Sequence, residues 1–357
     1  MGPRCDDIAF DIAGPRARSW TAGSGMCCGT GMTGFGRREF FGVTAGAAVL
    51  AGVVACGGTE SGQPAVASGA PAPGAVTLRW WGNNGWEIRL PGGKTVLIDP
   101  WLTRFHTGTY TEAGADPETP ITVDTALIDR YVDSGELRAD HILVTHGHYD
   151  HLTDVPYLAR KTGATVLGTE THLNLMAALG APEDQLAIAT GGEYLRFDGY
   201  TIRVLRSLHS ASGARAEVAF AGTRPGLGAG KLPEPKVIRD LVEGGTLAYE
   251  VAGGGVRVLN FGGSNYIESE LSGLRPDVLL LPAGGGKIAD YVARLLQVTG
   301  NPRYVLPTHW DDFDHPLTAP ARDWGGLDAL RKAVTQASPA SKFVQLDHLQ
   351  TFSVPQV

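Results

Sequence analysis

The segment Thr145-His146-Gly147-His148-Tyr149-Asp150-His151 constrains this chain more than any other. Three histidines and an aspartate fall within six residues, directly after the apolar run His141-Ile142-Leu143-Val144. A short apolar run of this kind predicts a buried strand. That strand delivers four ligand-type side chains to one place. Neutral imidazole is the commonest biological ligand for zinc and similar ions, and a carboxylate completes a mixed site. Gly147 suits a tight turn in which neighbouring imidazoles converge. A solvated histidine-rich loop is the bland alternative, but it gives no reason for four such ligands to follow a buried strand.

Composition narrows the setting. The chain has 357 residues, 43% hydrophobic and 19% charged, so it can bury a sizeable core and is not disordered throughout. A net charge of −7 argues against a nucleic-acid binder, which needs a basic stripe. Cys5, Cys27, Cys28 and Cys56 all lie near the N-terminus, so the rest of the chain has neither a disulfide framework nor a thiolate ligand. Any metal there is held by histidine and carboxylate.

The N-terminal region reads as an address. Arg37-Arg38-Glu39-Phe40-Phe41 precedes the apolar run 42–55, which is shorter than the ~20 residues of a membrane-spanning helix. Paired arginines before such a run resemble a twin-arginine export signal. Val53-Val54-Ala55-Cys56 resembles a bacterial lipobox, in which Cys56 becomes the lipidated residue on the outer face of the cytoplasmic membrane. A short buried helix or an uncleaved anchor is the alternative. Met32 begins a more ordinary signal n-region and is read as the natural start, with 1–31 as an upstream extension. The expected organisation is an export signal over 1–55, a lipidated flexible tether over 56–75, rich in Ser, Ala, Gly and Pro, and a folded domain over 76–357.

In that domain, strands are expected within 76–90 and over 95–98, 141–145, 164–168, 200–205, 278–281 and 305–307. Segments 247–251 and 256–260 read as a hairpin closed by Ala252-Gly253-Gly254-Gly255. Helices are expected over 171–179 and 290–298, the second with Val292, Leu295 and Leu296 on one face. Asp154 and Pro156 suit the first turn of a further helix running to about Lys161. Segment 105–120 reads as a surface loop.

The motif His146-x-His148-x-Asp150-His151 resembles the signature of the metallo-β-lactamase fold. Trp81-Gly82, Ile98-Asp99-Pro100-Trp101, Leu208-His209-Ser210 and Leu306-Pro307-Thr308-His309-Trp310 extend the resemblance over 76–357. The nearest likeness is to the branch of L-ascorbate-6-phosphate lactonase and related Zn-dependent hydrolases. The resemblance implies an α/β fold, the four-layer αββα sandwich, with metal at one edge. It implies one or two ions, Zn2+ first and Mn2+ or Fe2+ as alternatives. His146, His148 and His209 would hold the first, and Asp150, His151 and His309 the second. Asp150 would also orient the nucleophile or take a proton. Asp99 would orient the ligand loop rather than bind metal. The implied activity is hydrolysis of an ester, lactone, phosphodiester or amide bond of a small molecule through a metal-activated water.

One position departs from the family pattern. A bridging aspartate is usual in a Gly-Asp-Thr-Gly-type turn, where this chain has Gly262-Gly263-Ser264-Asn265. Gly263 stands in the aspartate's place, in a turn where a left-handed backbone is expected. This motivates a rival expectation: a non-catalytic, metal-binding surface lipoprotein. Lesser candidates are Asp311, Asp312 and His315, read as a polar loop or as proton carriers in the pocket. The glycine run 283–287 is a weak anion cradle, and Trp80, Trp81 and Trp86 are read as core packing or an apolar wall. Substrate choice is expected to lie in loops such as 105–120 and 212–239.

Overall fold

The computed structural model describes residues 74–211, 217–224, 232–284, 288–324 and 326–355. The export signal, Cys56, nearly all of the tether, Lys287 and parts of the 212–239 loop lie outside the described residues.

Alternation of short apolar runs with turns produces β1 (Thr77–Trp80), β2 (Trp86–Arg89), β3 (Thr95–Ile98) and α1 (Thr125–Asp133). There follow β4 (His141–Leu143), α2 (Tyr149–Leu152), α3 (Val155–Thr162), β5 (Thr165–Gly168), α4 (Glu170–Ala178) and β6 (Leu186–Ile188). A second run builds β7 (Tyr194–Phe197), β8 (Tyr200–Arg206), β9 (Leu247–Gly253), β10 (Val256–Asn260), α5 (Glu268–Leu271) and β11 (Val278–Pro282). It continues through α6 (Tyr291–Val298), β12 (Tyr304–Thr308), α7 (Leu327–Ala337) and β13 (Lys342–Phe343), and the chain then returns as β14 (Thr351–Ser353).

Two seven-stranded sheets result among the described residues, in the orders β14-β1-β2-β3-β4-β5-β6 and β13-β12-β11-β10-β9-β8-β7. Each is mixed. Antiparallel pairs run from β14 to β3 and from β7 to β10, and parallel pairs run from β3 to β6 and from β10 to β13. Strands β3, β4 and β11 are buried on both faces, which explains their largely apolar sequences. In β3, Val96 and Ile98 join the core between the sheets, whereas Leu97 joins the outer core with Ile128 of α1 and Leu158 of α3. Helix α6 buries Val292, Leu295 and Leu296 together, as their spacing predicts. Two facing sheets with helices outside make the αββα sandwich.

The topology places the site. The C-terminal ends of β3, β4, β8, β10 and β12 lie at one edge of the sandwich, beside the β1–β2 turn. The sheets are tied there by hydrogen bonds. The Tyr249 hydroxyl donates to the carbonyl of Val144 at 2.9 Å, and Leu247 N donates to the Thr145 carbonyl at 2.8 Å.

One local expectation is corrected and another, core packing of the tryptophans, is borne out. Asp154 precedes α3, but its carboxylate does not cap it; it accepts Leu102 N, Thr103 N and Thr103 Oγ1, fastening the loop after β3. Trp80, Trp81 and Trp86 are fully buried, so they are core rather than pocket wall.

Replacing Tyr249 by Phe removes the hydroxyl that bridges the sheets and leaves the ring in place. The expected loss is ~1 kcal/mol of folding stability, read from the midpoint of a urea unfolding curve with unchanged slope.

Candidate metal centre

His146 and His148 stand in the loop after β4, Asp150 and His151 in the short α2, His209 after β8, and His309 after β12. Their ligand atoms gather into two groups. Those of His146, His148 and His209 lie within 4.8 Å of one another, as do those of Asp150, His151 and His309. The groups adjoin, since the His146 and His151 rings are 3.8 Å apart. Gly147 is needed for space rather than for a left-handed turn: a Cβ there would stand 2.2 Å from the Val242 carbonyl oxygen.

Hydrogen bonds fix which ring nitrogens stay free. His148 Nε2 donates to the Ala219 carbonyl at 2.8 Å, leaving Nδ1 bare. His209 Nδ1 donates to the Ser210 carbonyl at 2.6 Å, leaving Nε2. Thr145 Oγ1 gives its proton to Asp99 and so accepts from His146 Nδ1 at 3.1 Å. His151 Nδ1 donates to Asp99 Oδ2 at 2.7 Å, while its buried Nε2 has no hydrogen-bond partner and lies 3.1 Å from Asp150 Oδ2. His309 Nε2 lies 3.3 Å from the same carboxylate oxygen. A buried imidazole nitrogen that faces a carboxylate oxygen and has no other partner suits a cation once its proton is displaced, and the donor set of each triad fits one divalent ion with a coordination position open.

Charge follows the same division. Burial, reinforced by neighbouring imidazoles, holds His146 well below the ordinary histidine value, and His148 falls to about 3. His209 is also lowered, chiefly by burial. These three rings are neutral. Burial opposes a charge on His151, but Asp150 and Asp99 outweigh it and raise the ring to about 10. Burial would likewise raise Asp150, but the His151 and His309 rings hold it well below the carboxylate range.

Asparagines that the sequence reading passed over complete the frame. Asn84 Nδ2 donates to Asp99 Oδ2 at 2.7 Å, and Asn260 Nδ2 donates to Asn84 Oδ1 at 3.0 Å. Asn83 Nδ2 donates to the Asp150 carbonyl at 2.7 Å and to Asp150 Oδ2 at 3.2 Å. The turn signal Gly82-Asn83-Asn84-Gly85 was visible, but its partners are remote in sequence.

Other candidates fall elsewhere. Gly262, not Gly263, has the left-handed backbone, with φ of 81°. Gly263 is instead confined by contact: a Cβ there would meet Ser210 N at 2.8 Å and Ser210 Oγ at 2.9 Å. Asn265 holds the His209 carbonyl, and Ser264 Oγ bonds Ser210 Oγ. Asp311 is neither a surface loop residue nor a proton carrier. It is fully buried against Arg104 at 2.7 Å and His348 at 2.9 Å, which hold its carboxyl well below the usual range despite burial. Asp312 N bonds the Arg322 carbonyl, and His315 bonds the Arg322 side chain; neither belongs to the triads.

The two triads should differ on loading. His151 stays protonated up to about pH 10 when no cation is present, so a cation must displace its proton. Affinity at that triad therefore rises with pH until about 10, whereas the neutral rings of the first triad release nothing near pH 8. Calorimetric metal titration in buffers of different ionisation enthalpy should show about one proton released in one step only. Equal proton release in both steps would contradict this assignment.

A family model described as a β-lactamase superfamily domain matches residues 77–309. A UPF0173 metal-dependent hydrolase of Myxococcus xanthus is 30% identical over 315 residues, spanning 85% of this chain and 96% of the relative. Another, from Cupriavidus taiwanensis, is 30% identical over 251 residues, spanning 69% and 78%. Among solved structures, the metallo hydrolase Igni18 of Ignicoccus hospitalis superposes with a TM-score of 0.51 at 18% identity, covering 79% of this chain and all of that one, which shows likeness of fold. With its sandwich, its matching family model and relatives of this extent, the chain belongs to the metallo-β-lactamase superfamily and, within it, to the UPF0173 family of metal-dependent hydrolases.

Proposed function

We propose that this protein hydrolyses an ester, lactone, phosphodiester or amide bond of a small molecule with two adjacent divalent ions, Zn2+ before Mn2+ or Fe2+. The observation that carries this reading is the abutment of two complete triads across the His146–His151 contact of 3.8 Å. His146, His148 and His209 would hold one ion, and Asp150, His151 and His309 the other. When bound, such ions polarise the scissile oxygen and lower the pKa of a water to ~7. Asp150 Oδ2 faces both His151 and His309. From that position it would bind an ion and also accept and orient a water proton. His209 and His309 are the half-buried members, so substrate enters on their side. Phe220, partly exposed with its ring 5.9 Å from His148, gives that entrance an apolar flank.

Gly263 favours a second reading. With no carboxylate at that turn, Asp150 is the only acid in the two triads, which suits a metal-binding surface lipoprotein without turnover. The resemblance to the lactonase branch supports the catalytic reading and guides the choice of test substrates. His146→Ala should abolish metal binding at the first triad and turnover of lactone and phosphodiester panels together, whereas His315→Ala should leave both near wild type. A metal-loaded wild type inert on every panel member would support the binding-protein reading instead.

We further propose that the protein is exported by the twin-arginine route and anchored through a lipid on Cys56. The support is Arg37-Arg38 and Val53-Val54-Ala55-Cys56. One acyl-bearing cysteine explains attachment without a spanning helix, and no helix among the described residues is long and apolar enough to cross a membrane. Cys56→Ala should abolish lipid labelling and move the protein out of the membrane fraction; a variant that still labels would refute the anchor.

A further inference from the structure

Asn83 is fully buried in the β1–β2 turn, with φ of 49°. It touches two of the three members of the second triad in different ways. Its side-chain Nδ2 donates to both the carbonyl and Oδ2 of Asp150, at 2.7 and 3.2 Å. Its main-chain carbonyl accepts His309 N at 2.9 Å and Thr308 Oγ1 at 2.7 Å. The first triad is oriented without it, through Ala219, Ser210 and Thr145.

The turn that carries Asn83 is itself anchored by charge. Asn83 N donates to Asp311 Oδ1 at 2.9 Å. Asp311 is bound by Arg104 and His348, and Arg104 is fixed by the carbonyls of His315 and Asp312. Arg104 presses against Gly82, where a Cβ would stand 2.0 Å from its NH1 nitrogen. A paired anion below the turn thus holds the backbone, and the amide above it holds the ligand carboxylate.

We infer that Asn83 is the positioning residue for the second ion: by orienting Asp150 and His309, it sets occupancy of that triad independently of the first. This rests on the two-ion reading above. Hydrogen-bonding partners of metal ligands commonly change affinity 10- to 100-fold when removed, and a partner that touches one triad should act on one step of loading.

Asn83→Gly keeps the left-handed backbone and its main-chain bonds and removes only the amide. Titration with Co2+, followed by visible absorption against a competing chelator, should show two steps in wild type. The variant should keep the first step within about twofold and weaken the second roughly 10- to 100-fold. The separate variant His209→Ala should weaken the other step. Should Asn83→Gly not fold, Asn83→Ser tests the same amide. Equal weakening of both steps would show general loosening and overturn the inference, as would no change in either. A wild type that binds one ion overturns it together with the two-ion part of the hydrolase reading, leaving hydrolysis by a single ion; a wild type that binds none removes the hydrolase reading itself.

Discussion

The Asp99 carboxylate is the interaction on which the rest of the site depends. It is fully buried at the end of β3, with φ of 42°, in a region that a non-glycine residue occupies at some cost. It accepts Thr145 N and Oγ1, Asn84 Nδ2 and His151 Nδ1. A buried carboxylate so fully satisfied is compatible with folding, and each donor is thereby fixed in direction. Through Thr145 it reaches His146 of the first triad, and through His151 it reaches the second. One side chain therefore sets ring orientation in both.

The sandwich makes that economy possible. Parallel β3 and β4 bring Asp99 and the histidine loop to the same edge of one sheet, and parallel β10–β12 bring Asn260 and His309 to the facing edge of the other. Tyr249 and Leu247 tie the sheets at that edge, so ligands from both meet without long, loose loops. Rigid strand ends suit a metal site, which tolerates only small errors in ligand position. The half-buried His209 and His309 leave it open to solvent on one side.

Much of this was legible in the residues, and the reasons are local ones. β3, β4 and β11 are short, largely apolar runs, as strands buried on both faces must be. The His146–His151 motif marks the site because ligand chemistry is concentrated there. Edge strands were not legible: β6 and β7 expose Ile188 and Tyr194, β13 has two residues, and β14 pairs with β1 from the far end of the chain. Helix α1 carried a signal, Asp124 capping Leu127 N, that the weak apolar pattern of its sequence hid. Asn83, Arg104 and His348 act through partners remote in sequence, so only the assembled sheets reveal them. Asp311 looked like part of a polar loop because its burial beside Arg104 is a tertiary fact. Gly147 and Gly263 announced themselves as glycines, but the cause in each case is a neighbouring backbone rather than a left-handed angle.

The central claim is that one edge of the sandwich holds two separately oriented cation sites. Anomalous diffraction at the zinc absorption edge, on crystals grown with Zn2+, tests it most directly. The account predicts two peaks, one between His146, His148 and His209, with His148 bound through Nδ1, and one between Asp150, His151 and His309. A single peak, a peak away from both triads, or His148 bound through Nε2 would contradict it.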